Sequence, residues 1–210
     1  MRKIVKNTSV VALVLCVASC QNFDEDVLPV AEVESRTIQV VAQQPQVVDV
    51  LEGVATEEPI NLQIVSPPSN GEFTMKGRSL GLYSTNARAG SRDEFTIAME
   101  TSSGRVTKTF SMESVTRSNY PISEQGAVYD RGGILKKGET IVSDVLANDA
   151  PGAASLEIVI SPTRGRAEVT DDSQIIYTAA SDFEGLDDLI YTVQFPNGNT
   201  GTALVRFAIE

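Results

Sequence analysis

The second half of this chain repeats the first at a nearly constant spacing, and that limits its fold more than any other feature. Ile64-Val65-Ser66-Pro67-Pro68-Ser69-Asn70-Gly71 lies over Ile158-Val159-Ile160-Ser161-Pro162-Thr163-Arg164-Gly165 at an offset of 94. At the same offset Tyr83 meets Tyr177, Asp93 meets Asp187 and Gly104 meets Gly198, while Phe95, Ile97 and Met99 meet Leu189, Tyr191 and Val193. Asp49-Val50-Leu51 matches Asp144-Val145-Leu146 at an offset of 95, so one small indel accounts for the difference. Solenoid repeats run to roughly 20–50 residues; a period this long marks tandem domains.

Each copy reads as β-structure. Leu189, Tyr191, Val193 and Phe195 alternate with Ile190, Thr192 and Gln194. Val205, Phe207 and Ile209 alternate with Leu204, Arg206 and Ala208, and Leu156, Ile158 and Ile160 with Glu157 and Val159. A period of two is the mark of strands with one face on a core. Turn signals separate these runs, among them Asn148-Asp149, Pro151-Gly152, Asp171-Asp172 and Pro196-Asn197-Gly198. No amphipathic helix of useful length appears. Short strands at this spacing predict an all-β chain of β-sandwiches.

Ordered motifs sharpen that reading. Thr140 to Asp149 (TIVSDVLAND), Ser161 to Gly165 (SPTRG), Ile176 to Gly185 (IYTAASDFEG) and Asp187 to Val193 (DDLIYTV) together resemble a bacterial Ig-like or cadherin-like tandem repeat. The residues that carry the resemblance are Asp144, Asn148, Asp149, Pro162, Gly165, Tyr177, Phe183, Gly185 and Asp187. It implies an Ig-like β-sandwich over residues 127–210 and a degenerate one over 37–115, joined by a linker at 116–126. The first copy keeps Asp49-Val50-Leu51, Pro68, Gly71, Tyr83 and Asp93, but Glu52-Gly53 replaces the Asn-Asp pair. Within this frame Pro162 and Gly165 shape a turn, Phe183 plugs one end of the sandwich, and Asp187 caps backbone N–H groups before the strand at Leu189. So short a linker predicts domains set end to end.

The N-terminus has a different character. Arg2, Lys3 and Lys6 precede an apolar run from Val10 to Val17. At roughly 8–10 residues the run suits a signal-peptide core and is too short to span a bilayer, which takes about 20. Val17-Ala18-Ser19-Cys20 resembles the lipobox of bacterial lipoproteins. That resemblance implies removal of residues 1–19 and lipidation of Cys20 through thioether-linked diacylglycerol and an acylated amine (palmitate or similar chains). Two or more chains give stable anchoring where one does not. Residues 20–36 then form an acidic, flexible tether carrying Asp24, Glu25, Asp26, Glu32 and Glu34. An acidic cluster soon after the cysteine resembles the surface-export signal of Bacteroidota lipoproteins. With Gln21 rather than Asp next to Cys20, it implies an outer-membrane protein facing outward at the cell surface.

Composition removes whole classes of chemistry. The chain has no histidine, which excludes Ser-His-Asp and Cys-His nucleophiles, histidine bases and histidine metal sites. On the lipoprotein resemblance Cys16 would leave with the signal and Cys20 would be lipidated, so neither disulfides nor thiolate zinc sites are expected. The chain carries 17 Lys and Arg against 28 Asp and Glu. Loss of the three signal-peptide cations leaves 14 against 28, a formal charge of −14. A surface of that sign disfavours nucleic acid and anionic lipid as partners.

Calcium takes six to eight oxygens, with several carboxylates in one loop. The loop after Asn148-Asp149 reads Ala150-Pro151-Gly152-Ala153-Ala154-Ser155 and offers none; the first copy has Glu52, Glu57 and Glu58 without Asp-x-Asp spacing. Asp171-Asp172 and Asp182, Glu184, Asp187 and Asp188 are the acidic positions left for a metal, with the last four the weak candidates, and solvated turns explain them more simply. Asp93-Glu94 and Asp187-Asp188 are adjacent on strands, so their side chains point to opposite faces and neither pair converges on a substrate. The expectation is therefore a non-catalytic protein without a cofactor: a lipid-anchored surface module for adhesion, spacing or binding an extracellular partner. The alternatives are a glycan-binding accessory of an outer-membrane uptake complex and a calcium-binding adhesin repeat.

Overall fold

A computed structural model describes residues 31–54, 61–101 and 104–210, with residues 31–36 described by their backbone alone. Cys20, Glu57 and Glu58 lie outside the described residues, as does the tether through residue 30. The first domain contains β1 (Ala31–Val41), β2 (Gln46–Asp49), β3 (Asn61–Ser66), β4 (Gly71–Met75), β5 (Leu80–Thr85), β6 (Arg92–Thr101) and β7 (Gly104–Val115). The second contains β8 (Asp130–Leu135), β9 (Thr140–Ser143), β10 (Ser155–Ile160), β11 (Arg166–Val169), β12 (Ile175–Thr178), β13 (Gly185–Gln194) and β14 (Thr200–Ile209). Between them lie a 3-10 turn at Arg117–Asn119 and a single helical turn, α1 (Ile122–Gln125).

Both domains are two-sheet, Ig-like sandwiches with one topology. A four-stranded sheet ordered β1-β7-β6-β3 faces a three-stranded sheet ordered β2-β5-β4; the second domain repeats this as β8-β14-β13-β10 and β9-β12-β11. In each, the first strand runs parallel to the last, and the other pairings are antiparallel. Even the irregularities repeat: β3 bulges between Ile64 and Ser66 against β6, and β10 between Ile158 and Ile160 against β13. A bulge at the same place in both copies is a property of the fold rather than an accident of one loop.

One sequence boundary moves. Residues 31–36, read as tether, are the first part of β1 and pair with β7 from Ala31↔Val106 onward. Their charge pointed to solvated chain, but a strand at a sheet edge accommodates charge on its open side.

The alternation seen in the sequence builds the two cores. In the first domain Val48, Phe73, Tyr83, Phe95, Ile97, Met99 and Phe110 meet inside the sandwich, with Phe95 stacked between Phe73 at 4.2 Å and Phe110 at 5.0 Å. In the second, Tyr177 lies flat on Phe207 at 3.9 Å, surrounded by Leu135, Val145, Ile175, Leu189 and Val205. Phe183 packs on the edge of this core and carries the Arg164 guanidinium 5.1 Å from its ring centre.

The domains do not sit end to end. Val47 of β2 and Leu82 of β5, on the outer face of the small first sheet, pack against Ile190 of β13 and Leu204 of β14 on the outer face of the large second sheet. All four are buried, Ile190 and Leu204 to 2% and 1% exposure. Leu80, Tyr129 and Ile160 line the same contact. A second apolar contact joins Val41, Tyr120 and Val128 around the linker. Linker length bounds separation, not orientation; the apolar outward residues set the orientation, because leaving four such side chains in water costs about 1.5–3 kcal/mol each.

Candidate functional site

The most connected polar group in each domain is a buried aspartate. Asp187, at 1% exposure, accepts hydrogen bonds from Thr163 N (3.0 Å), Thr163 Oγ1 (3.2 Å), Arg164 N (3.1 Å), Gly165 N (2.7 Å) and Tyr177 Oη (2.9 Å). The turn it holds is the one after Pro162, 22–24 residues upstream, not the start of its own strand. Asp93 does the same in the first domain, accepting from Ser69 N (2.8 Å), Ser69 Oγ (3.1 Å), Asn70 N (3.0 Å) and Tyr83 Oη (2.9 Å). Burial alone raises the Asp93 pKa, but the hydrogen bonds from Ser69, Tyr83, Asn70 and Glu94 outweigh it and hold the carboxyl below its usual 3.8. Burial, with the Asp93 charge beside it, pushes the Tyr83 hydroxyl up to about 12.

Gly165 and Gly71 complete this arrangement. A Cβ on Gly165 would lie 2.6 Å from the Tyr177 ring and 2.5 Å from Thr178 O; on Gly71 it would lie 2.7 Å from the Tyr83 ring and 2.8 Å from Ser84 O. The tyrosine reaches its aspartate by crossing the glycine, which is why Gly, Tyr and Asp repeat together. These groups are fully employed in holding a turn.

The second domain carries a further polar node around Tyr191, and the sequence did not disclose it. Tyr191 Oη, completely buried, lies 2.7 Å from Asp130 Oδ2 and 2.9 Å from Asp149 Oδ2. Asp130 Oδ1 accepts from Asn148 Nδ2 at 2.8 Å, and Asp149 Oδ1 from Val128 N at 2.8 Å. A phenol has one proton for two carboxylates, so one carboxyl must carry a proton of its own to complete the node. Burial, augmented by the neighbouring Asp149 charge, raises Asp130 to about 7, and burial raises Asp149 to about 6. Arg117, whose guanidinium donates to Asn148 O at 2.6 Å, partly opposes both shifts. At the equivalent of Tyr191 the first domain has Ile97, buried in its apolar core. Asn148 and Asp149 were visible as motif residues; Asp130 was missed because it pairs with them only after β8 and β13 fold together.

The acidic positions considered for a metal are separated. Asp182 is exposed. Glu184 pairs with Lys137 at 3.2 Å. Asp188 grips Arg206 through two hydrogen bonds of 2.7 and 2.8 Å. Asp187 is spent on its turn. Among the described residues no three Asp, Glu, His or Cys side chains converge as a metal site. Asp144 is exposed beyond β9, and Gly185 opens β13 with φ +133° against the Phe183 ring.

Among the described residues two open clefts have the volume of ligand sites. One, about 600 Å³, includes Arg92, Glu94, Ser111 and Glu113 on the first domain; these are already joined as Arg92–Glu113 (3.3 Å) and Ser111–Glu94 (3.4 Å). The other, about 490 Å³, lies at the domain junction between the β1–β2 turn, the β3–β4 turn, the end of β5 and Arg206 of β14.

Residues 121–208 match the family described as bacterial Ig domain. No curated protein matches the chain. Among solved structures, an endo-fucoidan hydrolase of glycoside hydrolase family 107 is 13% identical, with 85% of this chain and 28% of that one covered and a TM-score of 0.30. A SusE-like surface located polysaccharide binding protein from the Bacteroides thetaiotaomicron heparin utilisation locus is 11% identical, with 83% and 33% covered and a TM-score of 0.27. An I-band fragment of titin is 10% identical, with 88% and 64% covered and a TM-score of 0.25. The chain spans about a third or less of the length of the fucoidan hydrolases it matches.

Proposed function

We propose that this is a lipid-anchored, outward-facing protein of a bacterial outer membrane, whose docked pair of Ig-like sandwiches acts without catalysis to present a binding surface to an extracellular partner. The basic start, short apolar run and Val17-Ala18-Ser19-Cys20 motif support the anchor. The acidic residues after Cys20 support outward placement. Residues 21–30, fully extended, reach at most about 35 Å, so the sandwiches stay close to the bilayer. Among the described residues no helix is long and apolar enough to cross a membrane.

The observation that carries the non-catalytic reading is the employment of the buried acids. Asp93 and Asp187 hold turns, and Asp130 and Asp149 are tied to Tyr191. Among the described residues neither of these clefts brings together a pair of unengaged carboxylates, and the chain has no histidine to replace them. Protease treatment of intact cells tests the placement. Loss of the folded domains from whole cells, with a periplasmic control protein intact, is expected; protection until the outer membrane is broken would contradict it.

A further inference from the structure

We infer that the cleft at the domain junction is a binding site for a neutral, hydroxyl-rich glycan. The inference rests on the partner-binding reading above and names the class of ligand. At about 490 Å³ the cleft is within the usual range of small-ligand sites, and a junction between domains is a usual place for one.

Its lining is rich in amides and hydroxyls. Gln43, Gln44, Asn70, Ser84 and Asn86 come from the first domain, and Arg206 from the second. The side chains of Gln43, Gln44, Ser84 and Asn86 make no hydrogen bond to other described residues, in contrast to the fully engaged Asp93 and Asp187 clusters. Amides donate and accept side by side, as vicinal hydroxyls do, so they pair with a sugar without needing a charge.

Charge selects between ligands. Among the described residues of the lining, Arg206 is the only cation and Glu72 the only anion. The guanidinium is already neutralised by Asp188 through Nε and Nη2, which leaves Nη1 as a positioned donor rather than an anion clamp. A strongly anionic polysaccharide would find no excess positive charge here. The described residues of the lining include no aromatic side chain, so recognition rests on hydrogen bonds rather than ring stacking.

Two features of the β1–β2 turn show a conformation kept at a cost. Gln44 N donates to Val41 O at 3.0 Å, which places Gln43 at the third position of a β-turn with φ +62°. That position ordinarily takes glycine, and a side chain held there is strained. Gln44 Oε1 beside it is buried without a partner, a rare state for a folded protein. A glycine at position 43 would relieve the turn but would remove an amide from the cleft.

Calorimetric titration of the purified full-length protein in detergent, with hexasaccharides from dextran, mannan and xylan, tests the site. A heparin hexasaccharide and an unstructured Gly-Ser peptide serve as the anionic and peptide comparisons. Saturable binding of at least one neutral glycan is expected, weakened about tenfold or more in both Asn86→Ala and Gln43→Gly. Gln43→Gly should melt at the same or a higher temperature, so its weaker binding would not reflect misfolding. Absence of binding by every neutral glycan, unchanged affinity in both variants, or preferential binding of heparin or the peptide would each overturn the inference. The titration does not depend on cell location, so it fails independently of the protease test.

Discussion

The Tyr177 hydroxyl donates to Asp187 Oδ2 at 2.9 Å, and 94 residues earlier Tyr83 donates to Asp93 Oδ2 at the same distance. The sequence repeat is thus a repeated physical device: a buried carboxylate gathers the N–H groups of a Pro-containing turn, and a tyrosine lying across a glycine satisfies the remaining lone pair. Removing the hydroxyl alone leaves the turn's N–H groups still held. Tyr177→Phe should cost about 1–3 kcal/mol and Asp187→Ala about 3 kcal/mol or more. Urea unfolding followed by circular dichroism measures both; equal losses would mean that the turn does not depend on the carboxylate.

The glycine in that device has its own consequence. Gly165→Ala places a methyl group against the Tyr177 ring and Thr178 O at 2.5–2.6 Å. It should destabilise by about 1–3 kcal/mol through displacement of the ring. Ala at Gly198, which has open space but φ +85°, should cost about 1 kcal/mol from backbone strain alone. Thermal melts of the two variants compare the mechanisms directly; a milder effect at Gly165 than at Gly198 would contradict the packing argument.

The buried pair around Tyr191 makes stability depend on pH in a stated direction. Asp130 rises from 3.8 to about 7 and Asp149 from 3.8 to about 6 on folding, chiefly through burial. The folded state therefore holds more protons than the unfolded state between about pH 4 and 7, and stability falls as pH rises across that window. Asp93 acts oppositely: its pKa is lowered on folding, so its contribution is lost as pH falls below about 4. Melting temperature should fall from pH 5 to pH 8 and the slope should flatten in Asp130→Asn. A slope unchanged by that substitution would remove the node as its source.

Docking of the sandwiches rests on Val47, Leu82, Ile190 and Leu204. Leu204→Glu should force a charge into that contact and separate the domains without unfolding either. Small-angle scattering should show a larger radius of gyration with circular dichroism unchanged. An unchanged radius would mean that the contact contributes little to the arrangement.

The sandwiches were legible because alternation places one apolar face inward and the repeat supplies a second reading of each motif. The docking ran against the end-to-end arrangement expected from the short linker, although Leu189-Ile190-Tyr191 is apolar on both faces, which one sandwich cannot use. The sequence could not say which surface would cover Ile190. The Asp130–Tyr191–Asp149 node stayed hidden for another reason. Its acids lie on β8 and in the β9–β10 loop, its phenol lies on β13, and only tertiary folding brings them within 3 Å. Asp188 and Glu184 looked like candidate ligands because sequence adjacency does not reveal Arg206 and Lys137 waiting across the fold.

Everything said of where the sandwiches work depends on Cys20. The most direct measurement is fractionation of cells making the wild type or Cys20→Ser, with incorporation of a clickable palmitate analogue. The wild type should label and remain with the outer membrane after a high-salt and carbonate wash, whereas Cys20→Ser should be unlabelled and soluble. Label-free wild type, or a Cys20→Ser protein that stays in the washed outer membrane, would contradict the account.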